Sequence, residues 1–179
     1  MILAIDPGVT GAFALLGDTV LVDDLPVHQA QHGRSAMVRA ELDLHGFRGR
    51  LAGYEIEHVF IERVTARPGQ GVTSMFRFGE AAGAIYGLLV GMNLPVTFVR
   101  PQQWQRFHQV GAAPDAARQR AMQLYPALAS FLARKRNHHR ADALLLGHYG
   151  LRVPWRRPGD TSWASQGHRE IRKPETLEE

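Results

Sequence analysis

The chain has no cysteine. That excludes a disulfide scaffold, a thiolate metal site and a cysteine nucleophile, and it suits a reducing compartment. Lysine is almost as scarce. Lys135 and Lys173 are the only lysines among 21 basic residues, which face 17 acidic ones, so the cationic character belongs to arginine. Guanidinium forks suit bidentate phosphate contacts, although a GC-rich genome would also supply arginine by default. Charge of this size alone points only weakly to nucleic acid. No apolar run approaches the roughly 18 residues a membrane span needs. The first five residues lack the basic flank and cleavage site of a signal peptide and read as a strand. A soluble, cytoplasmic protein with no membrane association is the expectation. What the chain does have is 179 residues, 45% of them apolar, enough for one domain with its own core.

The opening reads as a β-meander. Residues 2–5 form an apolar run and Asp6-Pro7-Gly8 a turn; residues 11–16 form a second segment, Gly17-Asp18 a hairpin turn and residues 19–25 a third strand. Residues 35–51, with Met37, Val38, Leu42 and Leu44, fit a helix of middling amphipathicity. Val59-Phe60-Ile61 is a buried-strand signature that ends at Glu62. A loop at 67–71 leads to Thr73 or Ser74 as N-cap of a helix from Met75 to about Met92, whose middle is rich in small residues. Residues 96–99 form a strand, Pro101 opens a short helix, and residues 115–124 and 141–149 form further helices. Strands first, then strands alternating with helices, predict an α/β domain over 1–150 with a mixed sheet of about five strands, the first three antiparallel. Beyond residue 150 the composition changes, and residues 151–179 read as a polar tail or arm. Its Trp155 and Trp163 either pack on the body or meet a partner, with packing the first expectation.

Three carboxylates stand where an apolar element ends or turns: Asp6 after the first strand, Glu62 after the central one, and Asp142 in the late helix. Ligands of open α/β sheets usually bind at strand ends. Clustered carboxylates need a compensating charge, which a hard divalent cation supplies. Two such ions about 4 Å apart could hold both the attacking and the leaving oxygen of a phosphodiester. His139 lies three residues before Asp142 and shares a helix face with it; His138, four before, is the rival. Singly, each feature also has a plain structural reading. Asp-Pro-Gly is a common turn, Glu62 could mark a strand leaving the core, and Asp142 could simply favour a helix N-terminus.

Order and context favour the collective reading. "AIDPGVTGA" resembles the opening strand and turn of RuvC-type Holliday junction resolvases, members of the RNase H-like superfamily. "VFIERVTARPGQGVTSMFRFG" is similar to their second acidic motif with its DNA-contacting loop and helix, and "HHRADALLLG" to their C-terminal helix. The matches occur in the family's order and span roughly residues 1–150; "PQQW" adds a fourth, shorter one. The resemblance implies an RNase H-like fold and Asp6, Glu62, His139 and Asp142 as catalytic metal ligands. It further implies two Mg²⁺ or Mn²⁺ ions, and a homodimer nicking a four-way junction symmetrically in recombination or repair. The helix from Met75 to Met92 would be the dimer face. Branched DNA would meet Arg67, Gln70 and Arg77 in and after the second motif, Arg106 and Arg118 further on, and the cluster Arg134-Lys135-Arg136 before the last helix.

The chain departs from the family pattern in places. Thr65 stands where many members carry a stacking aromatic, with Phe76 or Phe78 as possible substitutes. Gln105 and Ala116 stand where lysines are usual, beside Arg106 and Arg118. Arginine does not readily give up a proton, so only an electrostatic role passes to it. Two alternatives stay open: an RNase H-like nuclease acting on RNA–DNA hybrid or RNA, and a junction-binding protein without cleavage. An Asp-x-Gly opening also occurs in actin-like and sugar-kinase ATPases. Those need two domains closing on a nucleotide, for which this chain leaves no room, and no nucleotide cofactor is expected. The compact length and the tail lean toward a phage or prophage member.

Overall fold

A computed structural model describes residues 1–31, 38–63, 65, 69 and 71–155. Five strands form the main sheet: β1 (Ile2–Asp6), β2 (Ala12–Leu16), β3 (Val20–Asp24), β6 (His58–Glu62) and β7 (Val96–Val99), in the spatial order β3-β2-β1-β6-β7. β1, β2 and β3 are antiparallel neighbours, whereas β6 and β7 add in parallel on the other side of β1. This is the mixed five-stranded sheet, its first three strands antiparallel, expected from the order of the apolar segments. Both of its faces are covered, which is why β1 and β2 are buried at every position rather than alternating.

The pleat assigns the two faces. Leu3, Ile5, Phe13, Leu15, Val59 and Ile61 face one way, onto Phe47 and Leu51 of α1 (Leu44–Leu51) and Ile85 and Leu89 of α2 (Val72–Gly91). Ile2, Ala4, Ala14, Leu16 and Phe60 face the other way. There they meet Trp104 of α3 (Pro101–His108), Ala121 of α4 (Ala116–Leu124), Leu132 of the short α5 (Ala129–Leu132), and Ala141, Ala143 and Leu144 to Leu146 of α6 (His138–Arg152). Two residues on from Ala4 and Phe60, the same alternation points Asp6 and Glu62 toward α6.

α6 can seat its backbone on the sheet because two glycines on its inner face leave room for the strand side chains. A Cβ on Gly147 would overlap Leu16 and crowd Ala4, and one on Gly150 would overlap the Phe60 ring. The helix backbone therefore rests directly on the side chains of β1, β2 and β6.

The expectation for residues 35–51 needs correction. Val38–Leu42 is a strand, β5, paired antiparallel with β4 (Val27–Gln31) in a separate two-stranded sheet, and only residues 44–51 are helical. Asp43 ends the strand and caps the helix, its carboxylate accepting from Gly46 N–H at 2.8 Å. The cap expected at Thr73 or Ser74 is also displaced. α2 starts at Val72, and extended Gly71 takes the cap position without any side-chain bond. α6 starts three residues earlier than expected, at His138, after a 3₁₀ turn over Lys135–Asn137. Trp155 packs on the body, 4.5 Å from the ring of His58 and edge-on to Phe60; Trp163 lies outside the described residues. Among the described residues no helix is long and apolar enough to cross a membrane.

Candidate active site

β1 and β6 run parallel in a register that places Ile5 beside Ile61, so Asp6 and Glu62 leave the sheet at the same edge. α6 crosses above them and brings His139 and Asp142 from its first two turns. Four residues spread over 137 positions of sequence thus share one corner of the molecule. Asp6 is 7% exposed. Its Oδ2 accepts a hydrogen bond from His139 Nδ1 at 2.6 Å, and His139 Nε2 lies 3.3 Å from the Thr10 hydroxyl. The Asp6 hydrogen bond is the main reason the imidazole holds its proton above the ordinary histidine range. Burial opposes this, and the charges of Asp6, Asp142 and Asp24 assist it.

Glu62 is half-buried at the end of β6, and its Oε2 accepts from the indole N–H of Trp104 at 2.7 Å. Asp142 is half-buried. Burial first, then the charges of Asp6 and Glu62, push its carboxyl up to about 8, against a smaller opposing effect of His139. The corner therefore holds more negative charge than its own cation can balance. In kind, an all-oxygen and imidazole donor set carrying excess negative charge fits a hard divalent cation. As the side chains stand, however, no three His, Asp or Glu among the described residues close in far enough to hold one ion together. His139 in particular is turned toward Asp6.

Ion pairs brace the corner from outside. Arg140 grips Asp24 through Nε at 2.6 Å and a terminal nitrogen at 2.8 Å, and reaches Asp23 at 3.5 Å; Arg50 pairs with the same Asp23. These contacts tie the first turn of α6 to the end of β3. His138, the rival ligand, is exposed, stacks on His139 with ring centroids 3.9 Å apart, and points its Nδ1 at the Lys135 carbonyl.

The expected DNA contacts fall into three groups. Arg67 and Gln70 lie outside the described residues. Arg77, Arg106, Arg134, Lys135 and Arg136 are exposed, the last three on the turn leading directly into α6. Arg118 is half-buried and already engaged, pairing with Asp115 at 3.0 Å and donating to the Ala133 carbonyl at 2.9 Å. Sequence reasoning missed Thr10, Trp104, Arg63 and Arg100. Trp104 was within reach through the "PQQW" match; nothing in the sequence marked the others.

No protein-family model and no curated protein matches this chain. Among solved structures it is similar to Thermus thermophilus RuvC in complex with a Holliday junction substrate (19% identity, TM-score 0.48, 83% of this chain and 90% of that one). It is also similar to a second Thermus thermophilus RuvC structure (19% identity, TM-score 0.46, 83% and 91%) and to the fowlpox virus Holliday junction resolvase (15% identity, TM-score 0.48, 84% and 96%).

Proposed function

We propose that this chain is a metal-dependent, structure-selective DNA endonuclease. It resolves Holliday junctions as a homodimer by symmetric nicking, with Asp6, Glu62, His139 and Asp142 as the ligands of two Mg²⁺ or Mn²⁺ ions. The observation that carries the reading is the gathering of three carboxylates and one histidine at a single sheet edge, with Asp142 left over-crowded by negative charge. The bound ions would supply Lewis-acid polarisation of the phosphodiester and an acidified water as nucleophile.

The chain's own residues do the positioning. Trp104 N–H holds the Glu62 carboxylate through Oε2, and His139 holds Asp6 through Oδ2. For His139 to become a ligand its ring must release Asp6, which it meets through Nδ1 while its Nε2 faces the Thr10 hydroxyl. Arg134, Lys135 and Arg136 stand exposed where strand phosphates would approach the first turn of α6. Dimerisation through α2 suits a two-fold substrate. A cytoplasmic location belongs to the same proposal.

The test is cleavage of a labelled synthetic four-way junction beside duplex, fork and RNA–DNA hybrid, with Mg²⁺, with Mn²⁺ and with chelator. Paired symmetric nicks on the junction alone, lost on chelation, are expected. Cutting of the hybrid instead would keep the metal site and change the substrate, and tight junction binding without any cutting would leave a binding protein.

A further inference from the structure

The strand ends carry a second surface, unlike the carboxylate corner. Arg63 follows Glu62 directly, and its N–H bonds the Val99 carbonyl at 2.8 Å, which fixes it beside the end of β7. Its guanidinium carbon lies 5.2 Å over the ring of Phe98. Phe98 is 39% exposed, and Tyr86 of α2 stands against it at 5.2 Å between centroids. Arg63, Phe98, Arg100 and Gln103 line one cleft. A second is lined by Thr65, Arg100, Pro101, Gln102, Gln103 and Arg106. Shared Arg100 and Gln103 make the two a single trough running from the catalytic strand along the start of α3. Among the described residues, three arginines line it and no carboxylate does.

We propose that this trough holds an unpaired strand of DNA continuing from the scissile phosphodiester, with a base stacked on Phe98 and phosphates on Arg100 and Arg106. The inference rests on the nuclease reading and deepens it, since it names the feature of branched DNA that the enzyme selects. Charge complementarity calls for a polyanion. The exposed ring narrows the choice, because a paired duplex keeps its bases stacked on one another, whereas an unpaired base offers a free face. Gln103 fits the same occupant. Its side-chain oxygen already accepts from Arg100 N–H at 2.9 Å, so the amide presents donors to a base edge or a phosphate.

The experiment measures binding of a fluorescent twelve-residue oligothymidylate and of a twelve-pair duplex by the full chain in chelator, followed by junction cleavage in Mg²⁺. Phe98→Ala should weaken oligothymidylate binding about tenfold, the loss expected for one stacked base, and change duplex binding by less than about twofold. Phe98→Trp, which keeps a stacking face, should bind the single strand as the wild type does and controls for folding. A 2-aminopurine within the strand should be quenched by the wild type and not by Phe98→Ala. Unaltered single-strand affinity in Phe98→Ala, or equal losses on single strand and duplex, would overturn the trough assignment. Wild-type junction cleavage would still uphold the nuclease reading in that case, and its absence would sink that reading separately.

Discussion

The two sides of the strand ends differ in what their charged groups are doing. Toward α6, charges are engaged by neighbours within the chain: Asp6 by His139, Glu62 by Trp104, and Asp24 by Arg140. Toward β7 and α3, Arg63, Arg100 and Arg106 stand exposed, and among the described residues no acid lines the trough between them. The first side is built where a helix is pressed onto a sheet, which gathers like charges, buries Asp6 and half-buries Glu62 and Asp142. The second is built where an edge strand ends in solvent, which leaves cations to meet an incoming ligand. On the proposed reading, crowding suits the first side to cations, and openness suits the second to a polyanion.

The largest expected effect separates the two sides by activity. Asp6→Asn should reduce junction cleavage at least about a hundredfold, as expected for lost transition-state charge stabilisation, while junction binding in chelator stays within about twofold. Gel assays of cleavage and binding on one preparation check this; parallel loss of both would erase the distinction. Next in size is the close seat of α6. Gly147→Val must push Leu16 and Ala4 aside, an overpacking that costs about 1–3 kcal/mol. At roughly 2–4 °C per kcal/mol for a chain of this size, a melting point lower by several degrees is expected, together with loss of cleavage.

Asp142 sharpens the comparison from the other direction. Its carboxyl titrates near 8 in the folded chain and near 3.8 when free, so between those values the native state holds a proton that the unfolded state has lost. Stability contributed there is present at acid pH and lost as pH rises toward 8. Asp142→Asn should therefore stabilise the metal-free protein at pH 7.5. After discounting for partial exposure, a gain on the order of 1 kcal/mol corresponds to roughly 2–4 °C. Mg²⁺ or Mn²⁺ should raise the wild-type melting point and leave that of Asp142→Asn nearly unmoved; no shift in either would refute ion binding at this corner.

The smallest expected effect lies away from both sides. Burial lowers the titration of His58, His108 and His148, so their contribution is complete above about 6.5. It should fade as pH drops below that value, seen as a shallow loss of melting temperature between pH 6.5 and 5 in Asp142→Asn, where the opposing gain from that carboxyl is absent.

Much of this was legible in the residues. The apolar runs ending at Asp6, Glu62 and Val99 located three strand ends, and strand ends located the corner. Residues 38–42 misled because Val38 and Leu42 satisfy both an i, i+4 helical spacing and an alternating strand pattern. Pairing with β4 decided the matter, and pairing is not a local property. The same limit hid Thr10, which meets His139 across 129 residues. It also hid the trough, whose arginines lie on separate segments, one following β6 and the others around the start of α3. Asp142 was legible as a carboxylate, but its retained proton depends on neighbours that only folding assembles.

The bare backbone of α6 at Gly147 and Gly150 also constrains how this protein can change. The gap between helix and sheet is set by Leu16 and Phe60 with nothing opposite them to trim. A lineage cannot adjust the reach from Asp142 to Asp6 by resizing one residue on the helix. Any gain of volume at 147 must be matched by a loss at 16, and any gain at 150 by a loss at 60, within the same molecule. These two pairs should drift together or not at all, so homologues with a larger residue at either helix position should carry a smaller one on the strand facing it.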